Sequence, residues 1–266
     1  MSVLDAIVER KREEVRRQKV RLPESFLDRL IRELPKPRGF KAAVSCADRP
    51  NVIAEIKRAS PSKGVLRPDQ KPLEWDPVGI ARAYEANGAV ALSILTDTVH
   101  FWGTPDLLGA CREAVSLPLL RKEFIIDPYQ VSESRWLGAD AILLIARCLS
   151  AKELEALAAQ AVFLGMDVLI EVHHREELEK ALAVPEAMIG INHRDLSTLE
   201  MFPERAIELR KEIPDTRVVV GESGIRCSAD IFRLQEAGVN VFLVGSHLVA
   251  GGNPGGALAE LFGGAS

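Results

Sequence analysis

The feature that most constrains this chain is a recurring unit: a helix stop at glycine, a turn of one or two residues, then a short apolar run. Four copies stand out, NGAVALSIL, LGADAILLI, LGMDVLIEV and AGVNVFLVG. From residue 52 onward, apolar runs alternate with helical patterns. They predict eight strands, near 52–57, 90–95, 119–123, 141–146, 168–172, 187–192, 218–222 and 241–245. Most of these runs are continuous, as in parallel strands covered on both faces. Eight units in 266 residues predict an α/β fold, a single (β/α)8 TIM barrel, for which about 250 residues is typical. A doubly wound open sheet is the runner-up. It usually has fewer strands, and the chain carries neither a G-x-G-x-x-G fingerprint nor a P-loop.

Helix punctuation agrees with the barrel. Pro77, Pro105, Pro128 and Pro254 follow the candidate caps Asp76, Thr104, Asp127 and Asn253, and proline suits the first helical position. Ser150 and Glu153 read as a capping box. Gly88, Gly138, Gly165 and Gly238 stand where left-handed helix ends are expected. Residues 1–50 read as a helical extension packed on a barrel of residues 51–266, one domain overall. Leu4, Ile7, Val8 and Val15 give a partial apolar stripe, and Phe26, Leu27, Leu30, Ile31 and Leu34 a fuller one. The charges from Glu9 to Arg21 read as a solvated helix face. Residues 35–39 read as a linker.

Composition excludes several classes. A formal charge of -4 makes no case for nucleic acid or an anionic membrane. No run of eighteen apolar residues is present, so no membrane span is expected. The charged N-terminus does not fit a signal peptide, and a cytoplasmic location is the expectation. Cys46, Cys111, Cys148 and Cys227 form no C-x-x-C pair, so neither zinc nor redox motifs find support. The adjacent His173 and His174 diverge on a strand or a helix. No metal is expected. A monomer is the default, with an oligomer left open.

Barrel enzymes keep their sites at the C-terminal strand ends. Applied to the predicted strands, that rule gathers Glu55 and Lys57, Lys122 to Phe124, Glu171, Asn192 with Arg194, Gly221 to Gly224, and Gly245 with Ser246. Glu55 and Lys57 are two apart and share a face. Charges at buried strand ends are costly unless paired or used. Any single one reads as well as a solvated ion pair. The set, confined to one end, points to a site. Glycine-bearing turns after strands seven and eight fit a phosphate. Phe101, Trp102 and Phe124 lie where they would floor an apolar pocket. For Trp102, ordinary loop packing is an equal reading.

Six motifs carry a resemblance: AEIKRASPSKG (54–64), LRKEF (120–124), IEVH (170–173), GINHRDL (190–196), GESGI (221–225) and LVGS (243–246). In this order they resemble indole-3-glycerol phosphate synthases. The resemblance implies closure of the pyrrole ring of 1-(2-carboxyphenylamino)-1-deoxyribulose 5-phosphate, with loss of carbon dioxide and water. It implies no cofactor, and a small phosphorylated molecule as the partner. It assigns Lys122 as general acid and Glu171 as general base. Lys57 becomes the cation that handles the substrate carboxylate, with Glu55 its relaying partner. Asn192 and Glu222 position. Ser62, Ser223, Gly224, Gly245 and Ser246 surround the phosphate or its neighbouring hydroxyls, with Leu243 beside them. Phe101, Phe124, Leu143 and Leu196 line the anthranilate pocket, and Arg194 braces the site. His193 and His247 depart from the family's usual residues, and Trp102 follows the pocket phenylalanine. Two rivals remain on the residues alone. One is a phosphate-binding isomerase or Schiff-base aldolase barrel with Lys122 or Lys57 as nucleophile. The other is a non-catalytic barrel, which the intact acid–base set disfavours.

Overall fold

The computed structural model describes residues 3–45, 50–67, 74–195 and 198–263. Eight parallel strands close into a barrel: β1 (Asn51–Ile56), β2 (Ala91–Leu95), β3 (Leu119–Lys122), β4 (Ala141–Ile145), β5 (Asp167–Val172), β6 (Met188–Asn192), β7 (Val219–Glu222) and β8 (Val241–Val244). The seam joins β1 to β8, pairing Ile53 with Leu243. The predicted strands match these within a residue at each end.

The continuous apolar runs serve two cores at once. Ile53, Leu120, Leu143, Leu169, Val220 and Leu243 pack inside the barrel. Their neighbours Val52, Leu119, Ile142, Val168, Val219 and Phe242 pack outward against the helices. With a side-chain period of two, no position on such a strand can be polar without cause.

The outer helices start as their caps dictate. Asp76, Asp127 and Asn253 accept from the amides of Gly79, Tyr129 and Gly256 at 2.8, 2.9 and 3.0 Å. The Ser150–Glu153 capping box is formed. Thr104 differs. The helix Asp106–Ala114 starts one residue later, and Thr104 contributes only its carbonyl, to the Leu107 amide at 3.1 Å. Gly88, Gly138, Gly165 and Gly238 all have left-handed φ.

The N-terminal segment forms three helices rather than two: α1 (Val3–Arg21), α2 (Glu24–Arg32) and α3 (Phe40–Val44). Val15, Leu27 and Tyr129 form one small core, which docks α1 and α2 on the helix Pro128–Trp136. The Tyr129 hydroxyl donates to the Leu22 carbonyl at 3.0 Å. The unpredicted α3 stops the bottom of the barrel, with Phe40 and Val44 buried in its inner core. The charged face of α1 is not wholly solvated. Lys11 is buried and meets Glu14, Asp97 and Glu123 at 2.6, 3.1 and 3.0 Å. Burial lowers it, but the three carboxylates outweigh burial and hold the ammonium above the usual lysine range. Among the described residues, no helix is long and apolar enough to cross a membrane.

Candidate active site

Glu55, Lys122, Glu171 and Glu222 each sit on an inward position at the top of their strands. On β1 the inward set runs Ile53, Glu55, and Lys57 just past the strand end. Lys57 Nζ lies 2.5 Å from Glu55 Oε1. β3 ends on Lys122, β5 carries Glu171, β6 ends on Asn192 and β7 on Glu222. Lys122 Nζ donates to Glu222 Oε2 at 2.6 Å and to Glu171 Oε2 at 3.0 Å. Asn192 Nδ2 donates to Glu171 Oε1 at 3.1 Å, and its own oxygen accepts from the Arg194 amide at 2.9 Å. One ammonium therefore serves two buried carboxylates.

Two glycines make room for these acids. A side chain at Gly190 on β6 would run into the Glu222 carboxylate, and one at Gly245 into that of Glu55. Gly190 lies inside an apolar strand. An isolated glycine there is a signal of close approach, and the sequence reading passed over it.

The crowding sets the protonation states apart. Burial pushes the Glu222 carboxyl up, neighbouring Glu171 pushes it further, and Lys122 offsets only part, leaving it at about 7. Burial acts the same way on Glu171, but there Lys122, His173 and the Asn192 amide win and hold the carboxyl well below its ordinary range. Burial alone would discharge Lys122, yet Glu171, Glu222 and Glu55 keep it above the usual lysine range. The mouth thus holds a charged lysine, a charged glutamate and a glutamate that titrates near neutrality.

One cavity is lined by all of these groups and has two unlike ends. The apolar end is walled by Phe101, Phe124, Leu143 and Ile145, with the two phenyl rings 6.3 Å apart at 38°. Leu4 and Ile7 of α1 complete that wall. Both stood in the predicted stripe, but nothing in the sequence indicated where α1 would dock. Trp102 does not line the cavity. It is half exposed, with the Arg58 guanidinium 5.7 Å from its ring centroid.

The opposite end is cationic. Ser62, Ser223, Gly224, Leu243, Gly245 and Ser246 line it, together with Lys63, Arg194, Arg226 and His247. Burial lowers the Lys63 ammonium, and Arg226, Arg194 and Lys57 lower it further by repulsion. Among the described residues, neither Lys63 nor Arg226 makes a side-chain ion pair. Sequence reading missed both as site residues, since each is an ordinary surface cation until the loops meet. Ser223 and Gly224 are both left-handed, at φ 66 and 80. His193 points away from the cavity and holds this turn, with Nδ1 2.9 Å from the Ser223 carbonyl. The acceptor is a carbonyl, so Nδ1 carries the proton. The short helix Ser246–Ala250 opens beside it. Leu196 lies outside the described residues.

Comparison with known proteins matches the sequence to a family. The family model for indole-3-glycerol phosphate synthase matches residues 4–261. A relative from Dechloromonas aromatica (strain RCB), named indole-3-glycerol phosphate synthase, is 45% identical over 263 residues, covering 98% of each chain. Among solved structures, 3-hexulose-6-phosphate synthase from Salmonella typhimurium superposes with a TM-score of 0.64 at 11% identity, over 80% of this chain and 97% of that one. KGPDC from Streptococcus mutans gives 0.60 at 12% identity, over 80% and 96%. Likeness at that identity speaks for the barrel alone, whereas the sequence matches span the whole chain. The chain belongs to the indole-3-glycerol phosphate synthase family.

Proposed function

We propose that the mouth carries out the family's ring closure with Lys122 as general acid and Glu171 as general base, on a substrate laid from the apolar end to the cationic end. The observation that carries this reading is the order of chemistry along one cavity: an aromatic wall, then the Lys122–Glu171–Glu222 cluster, then the loops bearing Lys63, Arg194 and Arg226. The substrate has the same order, an aryl carboxylate, a ribulose carbonyl and a phosphate.

The steps follow from the positions. The aryl group packs on Phe101, Phe124 and Leu143, and its carboxylate meets Lys57. The phosphate lies at the glycine and serine turns after β7 and β8, where glycine lets the backbone approach. Held at both ends, the ring carbon faces the ribulose carbonyl, so orientation itself lowers the barrier. Lys122 gives a proton to the carbonyl oxygen as the carbon–carbon bond forms. Carbon dioxide then leaves with the electron pair returning to the ring. Dehydration takes a second proton, delivered to the departing hydroxyl, while Glu171 removes one from carbon. Acid and base stand 3.0 Å apart, so Glu171 returns that proton to Lys122 directly. Asn192 fixes the other Glu171 oxygen. Glu55 holds Lys57, and Glu222 orients Lys122.

The rival use of a lysine as a Schiff-base nucleophile leaves a different trace. Borohydride added during turnover should leave the protein mass unchanged while indole fluorescence still develops in an untreated sample. A substrate-sized adduct on Lys122 or Lys57 would overturn the assignment.

A further inference from the structure

Charge balance makes a demand that Lys122 and Glu171 cannot meet alone. The substrate carboxylate leaves as neutral carbon dioxide and a hydroxyl leaves as water, while the phosphate is unchanged. Each turnover therefore consumes one proton from solvent. In the steps above the acid gives two protons and the base recovers one, so one must be supplied from outside.

The wall behind Glu171 offers another way in. His173 follows on β5's exit and its side chain is fully buried. Its Nε2 lies 3.4 Å from Glu171 Oε1 and has no hydrogen-bond partner. Its Nδ1 lies 3.1 Å from Glu177 Oε2, which also accepts from the His173 amide at 2.7 Å. Glu177 stands on the helix Arg175–Leu182, with its side chain 9% exposed. Arg147 Nε donates to its other oxygen at 2.8 Å and holds it in place. With Glu177 accepting from Nδ1–H, the Nε2 lone pair faces the general base. That is an unfavourable contact unless a proton lies between them.

We infer that His173 is a proton relay, passing one proton per turnover from the solvent edge at Glu177 to Glu171, and so to Lys122. The inference rests on the acid–base assignment above. The transfer is balanced: starting from the tautomer with Nε2–H toward Glu171, Nε2 releases its proton to Glu171 while Nδ1 takes one from protonated Glu177, Glu177 regains a proton from hydronium in solvent, and a tautomer change of the ring resets the site. His173 acts through Glu171 and does not touch substrate. Around it stand Glu171 on β5, Glu177 on the helix Arg175–Leu182 and the ring of His174 at 6.5 Å, while Arg147, Cys148 and Arg205 act on Glu177 and Lys122 acts on Glu171. His174 is 44% exposed at its side chain, so the two adjacent histidines do diverge.

The test is His173→Gln, which keeps polar atoms and cannot carry a proton through, read beside Glu177→Gln. Both should lower kcat by about 10²-fold with KM unchanged, the low end for losing a positioned proton carrier. Both should enlarge the solvent deuterium isotope effect on kcat. Two results would overturn the relay: wild-type kcat and isotope effect in either folded variant, or a fall in kcat with no change in isotope effect, which marks a structural role. If His173→Gln does not fold, Glu177→Gln decides alone. Failure here leaves Lys122 and Glu171 untouched. Their assignment falls only if their own variants keep turnover.

Discussion

The two ends of the barrel treat buried charge in opposite ways. At the closed end Asp140 and Asp167 are both answered by donors. Asp140, with no exposure, accepts from the amides of Arg38 and Leu119 and from the Arg112 guanidinium at 2.7, 2.8 and 2.8 Å. Asp167 accepts from the Lys41 amide at 2.7 Å. These bonds fasten α3 beneath the barrel. At the mouth, two carboxylates share one ammonium, and Glu222 Oε1 is buried with no partner. Charge at the bottom holds the fold. Charge at the top is left partly unanswered, which costs stability and leaves groups able to exchange protons.

Four substitutions would break or sharpen that contrast. The largest effect is expected at Glu171→Gln. It should lower kcat by about 10²–10⁴-fold, the range for a general base, with little loss of melting temperature. A variant that keeps turnover would erase the functional half of the comparison. Next is Asp140→Ala, which leaves three donors unanswered at roughly 1–3 kcal/mol each. Urea unfolding should show a loss of several kcal/mol, with kcat per folded molecule unchanged. A loss under about 1 kcal/mol would mean that the closed end is not where stability resides.

Glu222 gives a smaller effect, visible against pH. Its carboxyl stays protonated to about 7 in the folded chain, against an ordinary value of 4.5. The folded state therefore binds the extra proton across that window, and stability falls as pH rises through it. Glu171 acts oppositely, and its contribution is lost only as pH falls below 4.5. Glu222→Gln should flatten the decline between pH 5 and 7. An unchanged slope would show that Glu222 is not the titrating group. Smallest is Trp102→Ala. The exposed Arg58 contact is worth about 0.5–1 kcal/mol, and KM should not move. A raised KM would return Trp102 to the pocket.

The same contrast explains what was legible in the sequence. The eight strands could be read because continuous apolar runs and helix-stop glycines are local signals. The inward set Glu55, Lys57, Lys122, Glu171, Asn192 and Glu222 followed from strand period and the barrel rule. What escaped depends on distant partners. The helix α3 has five residues and is tied at its first turn to Asp167, 126 positions away. Lys11 read as solvated because its partner Asp97 lies 86 positions away. Leu4, Ile7, Lys63 and Arg226 belong to the cavity only through how α1 and the loops come together.

The most direct measurement is kcat for Lys122→Ala and Lys122→Arg, each verified as folded, with indole fluorescence as the readout. Arginine keeps a cation between Glu171 and Glu222 but has the wrong shape and too little acidity to give up a proton. Both variants should fall by at least about 10²-fold, the lower end for losing a general acid. Near-normal turnover in either would contradict Lys122 as the acid at the centre of the mouth.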